Sequence, residues 1–189
     1  MQEIVKKIKN EVFKICEIYK TKTTNDDWTH IQKVVNISEH LAEKFNADKE
    51  IAVLGAYLHD ISNPFEYGTP DDHHIYSAQL AEKMLKEHNY PGERIERVKK
   101  CVLHHRGSKI MIKETIEEEC VADADAISHF YSIPGLFKVA YSLKSLSEEE
   151  GTVWIREKLD NDFCKLSQRA KDLYKDRYNL LISVLFDNE

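Results

Sequence analysis

Read from the N-terminus, apolar residues recur in steps of three and four, with few runs that alternate in steps of two. Ile4, Ile8, Val12, Ile15 and Ile18 or Tyr19 share one face of a first predicted helix. The polar stretch TKTTNDDW offers Asn and Asp as caps before a second helix over about Trp28 to Phe45, with Ile31, Val34, Val35, Ile37 and Leu41 on its apolar side. A third helix, about Lys49 to Ile61, is apolar almost all round from Ile51 to Leu58, the pattern of a segment running through the centre of a domain. It ends in His59-Asp60 and is followed by SNPFEYGTPDD, whose Pro64, Gly68 and Pro70 oppose continued helix.

That segment is a candidate lid or substrate rim, because loops beside a rigid core often carry binding function. Asp71 or Asp72 can cap a fourth helix over about His73 to His88, and NYPGE separates it from a fifth. Ile95, Val98, Val102 and Leu103 line the fifth helix, which runs into HHRGS and stops at Gly107. KETIEEE is predicted as a solvated acidic face, and CVADADAISHF begins another apolar-lined helix. Leu136, Val139, Leu143, Trp154, Leu159, Phe163, Leu166, Leu173, Tyr178, Leu181, Val184 and Leu185 then mark further packing helices. No internal repeat, low-complexity linker or convincing boundary interrupts the chain, so a single all-α domain over residues 1–189 is expected.

Composition supports the all-helical reading: 42% of the 189 residues are hydrophobic and 32% charged, with only 6 Gly and 4 Pro. A net charge of -6 argues against a surface devoted to duplex nucleic acid, while leaving room for a small anionic ligand in a local basic pocket. The cysteines Cys16, Cys101, Cys120 and Cys164 form no CxxC pair, and the N-terminal stretch lacks a signal-peptide core. A reduced, cytoplasmic protein without a membrane segment is therefore expected, and a homo-oligomer is allowed.

Most of the 9 histidines fall in short groups: His30, His59, His73, His74, His104, His105 and His129. Taken singly, several have ordinary readings: His30 as a surface residue, His73 and His74 as caps, and HHR as a cation at a helix C-terminus. His59-Asp60 is harder to explain that way, since a carboxylate buried without a partner is costly and metal coordination removes the cost. With Asp60 and Asp125 the histidines suggest a metal site, because imidazole and carboxylate together suit transition metals. His129, four residues after Asp125, falls on the same helical face, and Asp123 has a capping or salt-bridge reading. No nucleophile elbow, P-loop, dinucleotide fingerprint or zinc-finger spacing is present.

The stretches WTHIQKV, YLHDI, HHIYSA, VLHHRG and ADADAI resemble the HD-domain superfamily of metal-dependent phosphohydrolases, over roughly Trp28 to His129. The resemblance implies an HD-type helical bundle with a metal-site core at about 28–129 and C-terminal packing helices at about 134–186. It makes His30, His59, Asp60 and Asp125 the principal metal ligands, with His73, His104 and His105 as the further ligands of members that hold two metals. A divalent ion (Mn, Fe, Zn, Ni, Co or Mg) is implied, as one ion or two. The chain lacks GYP after HHRG, a departure from the cyclic-dinucleotide phosphodiesterases of the HD-GYP kind, and is similar to small stand-alone members.

The implied activity is hydrolysis of a phosphoester or phosphoanhydride in a small phosphorylated substrate of the nucleotide class, by a metal-activated water. Asp60 is its catalytic carboxylate. Lys33, one turn after His30, and Arg106, after the paired histidines, are candidate phosphate contacts, with Lys109 behind them. Glu66, in the segment after the His-Asp pair, is a candidate general base or substrate contact. Two other classes share the ligand pattern: a di-iron oxygenase on the same type of fold, and a non-catalytic nucleotide-binding regulatory module.

Overall fold

The computed structural model describes residues 2–19, 27–65, 72–106 and 112–186. Among the described residues there are nine α-helices and no strand: α1 (Gln2–Tyr19), α2 (Asp27–Phe45), α3 (Lys49–Leu58), α4 (His73–Glu87), α5 (Gly92–His104), α6 (Ile116–Ser128), α7 (Ile133–Phe137), α8 (Glu148–Lys165) and α9 (Gln168–Phe186). The all-α expectation holds, and none of these helices is long and apolar enough to cross a membrane. The chain divides into two compact units, Met1–Asp125 and Ala126–Glu189.

In the first unit α3 is the central element. Every residue from Glu50 to Leu58 is buried, as its nearly continuous apolar sequence requires. Asp48 caps it, accepting from Ile51 N at 3.3 Å. α2 runs antiparallel to α3: Trp28 stacks on Tyr57, Ser38 donates to Ala52 O at 3.3 Å, and Glu39 and Glu43 pair with Lys49. α5 runs parallel to α3, and so does α6. Asp48, Gly55 and His59 of the α3 segment lie against Arg94, Cys101 and His105 of the α5 segment, and against Glu117, Val121 and Asp125 of α6. α4 is antiparallel to α5, with Glu82 facing Lys99 and His73 facing His105. Consequently α3, α5 and α6 present their C-terminal halves, and α2 and α4 their N-terminal ends, at one end of this unit.

Close packing of α3 depends on Gly55. A Cβ there would lie 2.8 Å from Cys101 Cβ and 3.1 Å from Val121 Cγ2, so only a residue without a side chain lets the three helices approach this closely.

Some assignments from apolar spacing change. α1 buries Ile8, Val12 and Cys16, a line of i, i+4 and i+8, and Ile18 falls off that line and is 68% exposed. Glu117 and Glu118, expected on a solvated face, are buried. Glu117 Oε1 accepts the Asp48 N–H at 2.8 Å, and Glu118 accepts from Glu114 N and Thr115 Oγ1. The N-terminal turn of α6 thus uses its own acidic side chains to satisfy backbone donors.

In the second unit a 3₁₀ turn (His129–Tyr131) leads to α7, which continues as a π-helical segment, Lys138–Leu143. α8 starts with a capping box in which Ser147 and Glu150 exchange side-chain and backbone bonds. α9 buries Ala170, Tyr174 and Ile182, so Leu173 and Val184, on its other side, are exposed. Tyr178 stacks on Phe163 at 4.1 Å and donates to Asp160 at 2.7 Å.

Replacing Gly55 by Ala should overpack the α3–α5–α6 contact and cost about 1–3 kcal/mol. Urea unfolding of the two proteins measures this, and an unchanged midpoint would show that the contact relaxes freely.

Candidate metal centre

Two helix ends orient their histidines by the same device. A helix leaves its last four carbonyls without intrahelical partners. His59, at the C-cap of α3, donates its Nδ1–H to Ala56 O at 2.8 Å, and His105, at the C-cap of α5, donates to Val102 O at 2.6 Å. A carbonyl can only accept, so each ring carries a proton on Nδ1, and in the neutral ring this leaves Nε2 as the atom able to ligate a metal. His59 is completely buried, and burial pushes its pKa down to about 4, so the ring is neutral at pH 7.

The Nε2 atoms of four histidines meet at Asp60, in the turn after α3. Asp60 Oδ2 is 3.5 Å from His59 Nε2 and 3.7 Å from His30 Nε2. Its other oxygen, Oδ1, is 3.1 Å from His73 Nε2 and 3.4 Å from His105 Nε2. His30 and His59 are 3.1 Å apart through their Nε2 atoms, and His73 and His105 are 3.2 Å apart. Among the described residues two groups therefore have metal-binding spacing, His30–His59–Asp60 and Asp60–His73–His105, and the carboxylate of Asp60 belongs to both. Asp125 joins the first group, with Oδ1 3.3 Å from His30 Nε2 and 3.9 Å from His59 Nε2.

The chemistry of the donor set fits a divalent cation. Asp60 Oδ1 is buried and takes no well-formed hydrogen bond, although two imidazole nitrogens lie close to it. Imidazole nitrogens grouped in pairs around a shared carboxylate are the donor set that a divalent transition-metal ion takes up. Burial works against an ionised Asp60, but the adjacent His59, His105 and His73 outweigh it and hold the carboxyl well below its usual range. Burial also works against a charged His30, which Asp125 and Asp60 nevertheless raise above the ordinary histidine value.

Second contacts hold the frame. Ser62, in the turn after Asp60, donates to His73 O at 3.0 Å, and its N–H donates to Ser77 Oγ at 3.1 Å. This serine pair ties the His-Asp turn to the first turn of α4 and so sets His73 beside Asp60. Both serines are fully buried, and sequence patterning alone does not single out Ser62.

The remaining candidates are placed as follows. His104 Nδ1 lies 2.6 Å from Glu118 Oε2 and is in neither group. His129 Nδ1 lies 3.0 Å from Asp162 Oδ2 and 3.3 Å from Lys158 Nζ, within the second unit. His74 packs edge-on against His73, and burial followed by the nearby His105, His73 and Arg106 lowers its pKa. Lys33 is half-buried on α2 one turn after His30, and Arg106 is half-buried immediately after His105. Glu66 and Lys109 lie outside the described residues. Asp123 is buried on α6.

Comparison with known proteins adds an independent finding. The model of the HD domain family matches residues 27–129. An uncharacterised protein of Clostridium beijerinckii is 35% identical over 83 residues, which cover 44% of this chain and 50% of that protein. Ribonuclease Y of Rubrobacter xylanophilus is 29% identical over 99 residues, covering 52% of this chain and 17% of that enzyme. The matches thus span half or less of these relatives' lengths. Among solved structures, Bacillus subtilis YpgQ superposes with a TM-score of 0.73 at 19% identity, covering 98% of this chain and 94% of that one. The same protein in complex with ADP gives 0.67 at 20% identity, with coverage of 92% and 93%. At this identity the likeness is one of fold.

Addition of Mn²⁺ or Ni²⁺ to the metal-free protein should raise its thermal midpoint, by about 2.7 kcal/mol of added stability at one hundred times the dissociation constant. Asp60→Asn removes the shared carboxylate and should weaken binding by more than roughly a hundredfold, beyond the loss typical of a supporting residue. A thermal scan reads the first and calorimetric titration the second, and equal affinity in the two proteins would exclude Asp60 from the ligand set.

Proposed function

The chain belongs to the HD domain family, whose members are metal-dependent phosphohydrolases, and from that premise we propose that it hydrolyses a phosphoester or phosphoanhydride bond of a nucleotide. The observation that carries this reading is the Asp60 carboxylate, with one oxygen toward His30 and His59 and the other toward His73 and His105. His30, His59, Asp60 and Asp125 would hold one divalent ion, and Asp60, His73 and His105 a second. A divalent ion so held polarises a phosphoryl oxygen and lowers the pKa of a bound water from 15.7 to about 7.

The protein's own residues have three tasks in this reading. His59 and His105, their rings oriented by Ala56 O and Val102 O, keep Nε2 directed at the centre without reorganisation during turnover. Asp60 supplies the carboxylate common to both groups, and its carboxyl is held well below the usual range. Lys33 and Arg106 follow ligand candidates on α2 and after α5, and are the cations proposed to bind the phosphate oxygens. Arg106 offers a planar fork suited to two oxygens at once. The choice of a nucleotide over other phosphate esters is supported by the ADP complex of YpgQ, a protein of the same fold. His104, held by Glu118, stands behind His105 in this scheme as a supporting residue.

Release of phosphate, pyrophosphate or nucleoside from a panel of nucleotides, with Mn²⁺ supplied, tests the proposal. A metal-replete protein that releases none of these is not a nucleotide hydrolase, and oxygen consumption with iron would instead indicate oxygenase chemistry. Arg106→Met should raise KM about tenfold or more with a smaller change in kcat, since phosphate binding by a forked cation is lost. An unchanged KM would remove Arg106 from the substrate site.

A further inference from the structure

The first unit contains a second polar cluster, remote from the histidines. Asp48 accepts from Arg94 through both carboxylate oxygens, at 3.1 Å each, and from Arg97 Nη1 at 3.1 Å. Its backbone N–H goes to Glu117 Oε1 at 2.8 Å, and Arg97 Nη2 lies 3.5 Å from the same oxygen. Arg94 also meets Glu50 at 3.0 Å and donates its Nε–H to Tyr90 OH at 2.8 Å, while Tyr90 donates to Glu50 at 2.6 Å. Glu50 and Glu117 are buried. A helix needs only one side-chain acceptor at its N-cap. Here α3's cap also engages two arginines of α5 and a glutamate of α6.

Along the chain these contacts stand in a regular relation to the centre. Asp48 precedes Gly55 by seven residues and His59 by eleven. Arg94 precedes Cys101 by seven and His105 by eleven. Glu117 precedes Val121 by four and Asp125 by eight. Three parallel helices are therefore clamped by charge at one level, touch at Gly55 at a second, and present candidate ligands at a third. At 1.5 Å per residue on α3 and α5, the clamp is about 10 Å above the Gly55 contact, and the ligands are about 6 Å below it. A near-rigid helix pivoting at Gly55 converts a loosened clamp into displacement at the ligands.

We infer that Arg94 and Glu117 are positioning residues for the metal centre, each setting one helix-to-helix register. Arg94 joins α5 to α3 and so fixes His105 against Asp60. Glu117 joins α6 to α3 and so fixes Asp125 against His59. The inference rests on the two-group metal reading above and adds that the groups are separately adjustable from the far end of the helices.

The test measures Co²⁺ affinity calorimetrically, with each group isolated in the full chain. His30→Gln leaves the Asp60–His73–His105 group, and His73→Gln leaves the group containing His30, His59, Asp60 and Asp125. Arg94→Met should weaken Co²⁺ roughly five- to tenfold in the His30→Gln background and less than about twofold in the His73→Gln background, in the range of coupling through packed elements. Glu117→Met should do the reverse. Arg94→Lys, which keeps the charge against Asp48, should recover affinity to within about threefold of the parent. Val12→Ala, a core truncation in α1, which carries no ligand candidate, is the control for loss of stability alone. Selective, reciprocal losses support the inference. Equal losses in both backgrounds, or a loss from Val12→Ala as large as that from Arg94→Met, overturn it, as does unchanged affinity. If Arg94→Met does not fold, Asp48→Asn, which weakens the same Arg94 contact, carries the comparison. A parent protein that takes up no Co²⁺ overturns the metal reading itself, and is distinguished by that absence from failure of the clamp alone.

Discussion

A largely buried carboxylate needs compensating charge or donors, and Asp60 is placed where four imidazole nitrogens lie within 3.7 Å of its two oxygens. Much of the first unit follows from that requirement. α3 must end at this point, α5 must run beside it to bring His105, and α2 and α4 must begin here to bring His30 and His73. The antiparallel and parallel pairings of the helices meet this condition by bringing five chain segments to one end. The glycine at the waist of α3 allows the close approach, and the serine pair behind the His-Asp turn keeps α4 from sliding.

Much of this was readable before any coordinates. The apolar run of α3, ending in two polar residues, marks both the central helix and its chemical end. The resemblance carried by WTHIQKV, YLHDI, HHIYSA, VLHHRG and ADADAI names His30, His59, Asp60, His73, His105 and Asp125, which lie together, and also His104, which turns to Glu118 instead. His73, the member of the His73-His74 pair that the resemblance implies, lies beside Asp60. Periodicity also located α2, α3 and α4 to within a few residues, because amphipathic spacing survives without knowledge of what each face meets.

What could not be read has a common physical origin. Glu117 and Glu118 look like surface residues, yet partners from the turn before α3, from the end of α5 and from the segment leading into α6 let them be buried. His104 and His105 are equivalent as letters, yet one faces Glu118 and the other Asp60, since adjacent residues on a helix point about 100° apart. Exposure of Leu173, Val184 and Ile18 likewise depends on which of several apolar lines a neighbouring element covers. Long-range partner choice is the missing information in each case.

The bonds from His59 to Ala56 O and from His105 to Val102 O have an evolutionary corollary. Each ring borrows a carbonyl three positions earlier in its own helix, so the orientation is inherited with a tetrapeptide and does not depend on distant sequence. Insertions or deletions in the connecting segments would leave both rings aimed as before, whereas a single-residue slip inside either helix end would separate ring from carbonyl. Length variation among descendants of this chain should therefore collect between the helices and be excluded from their last turns.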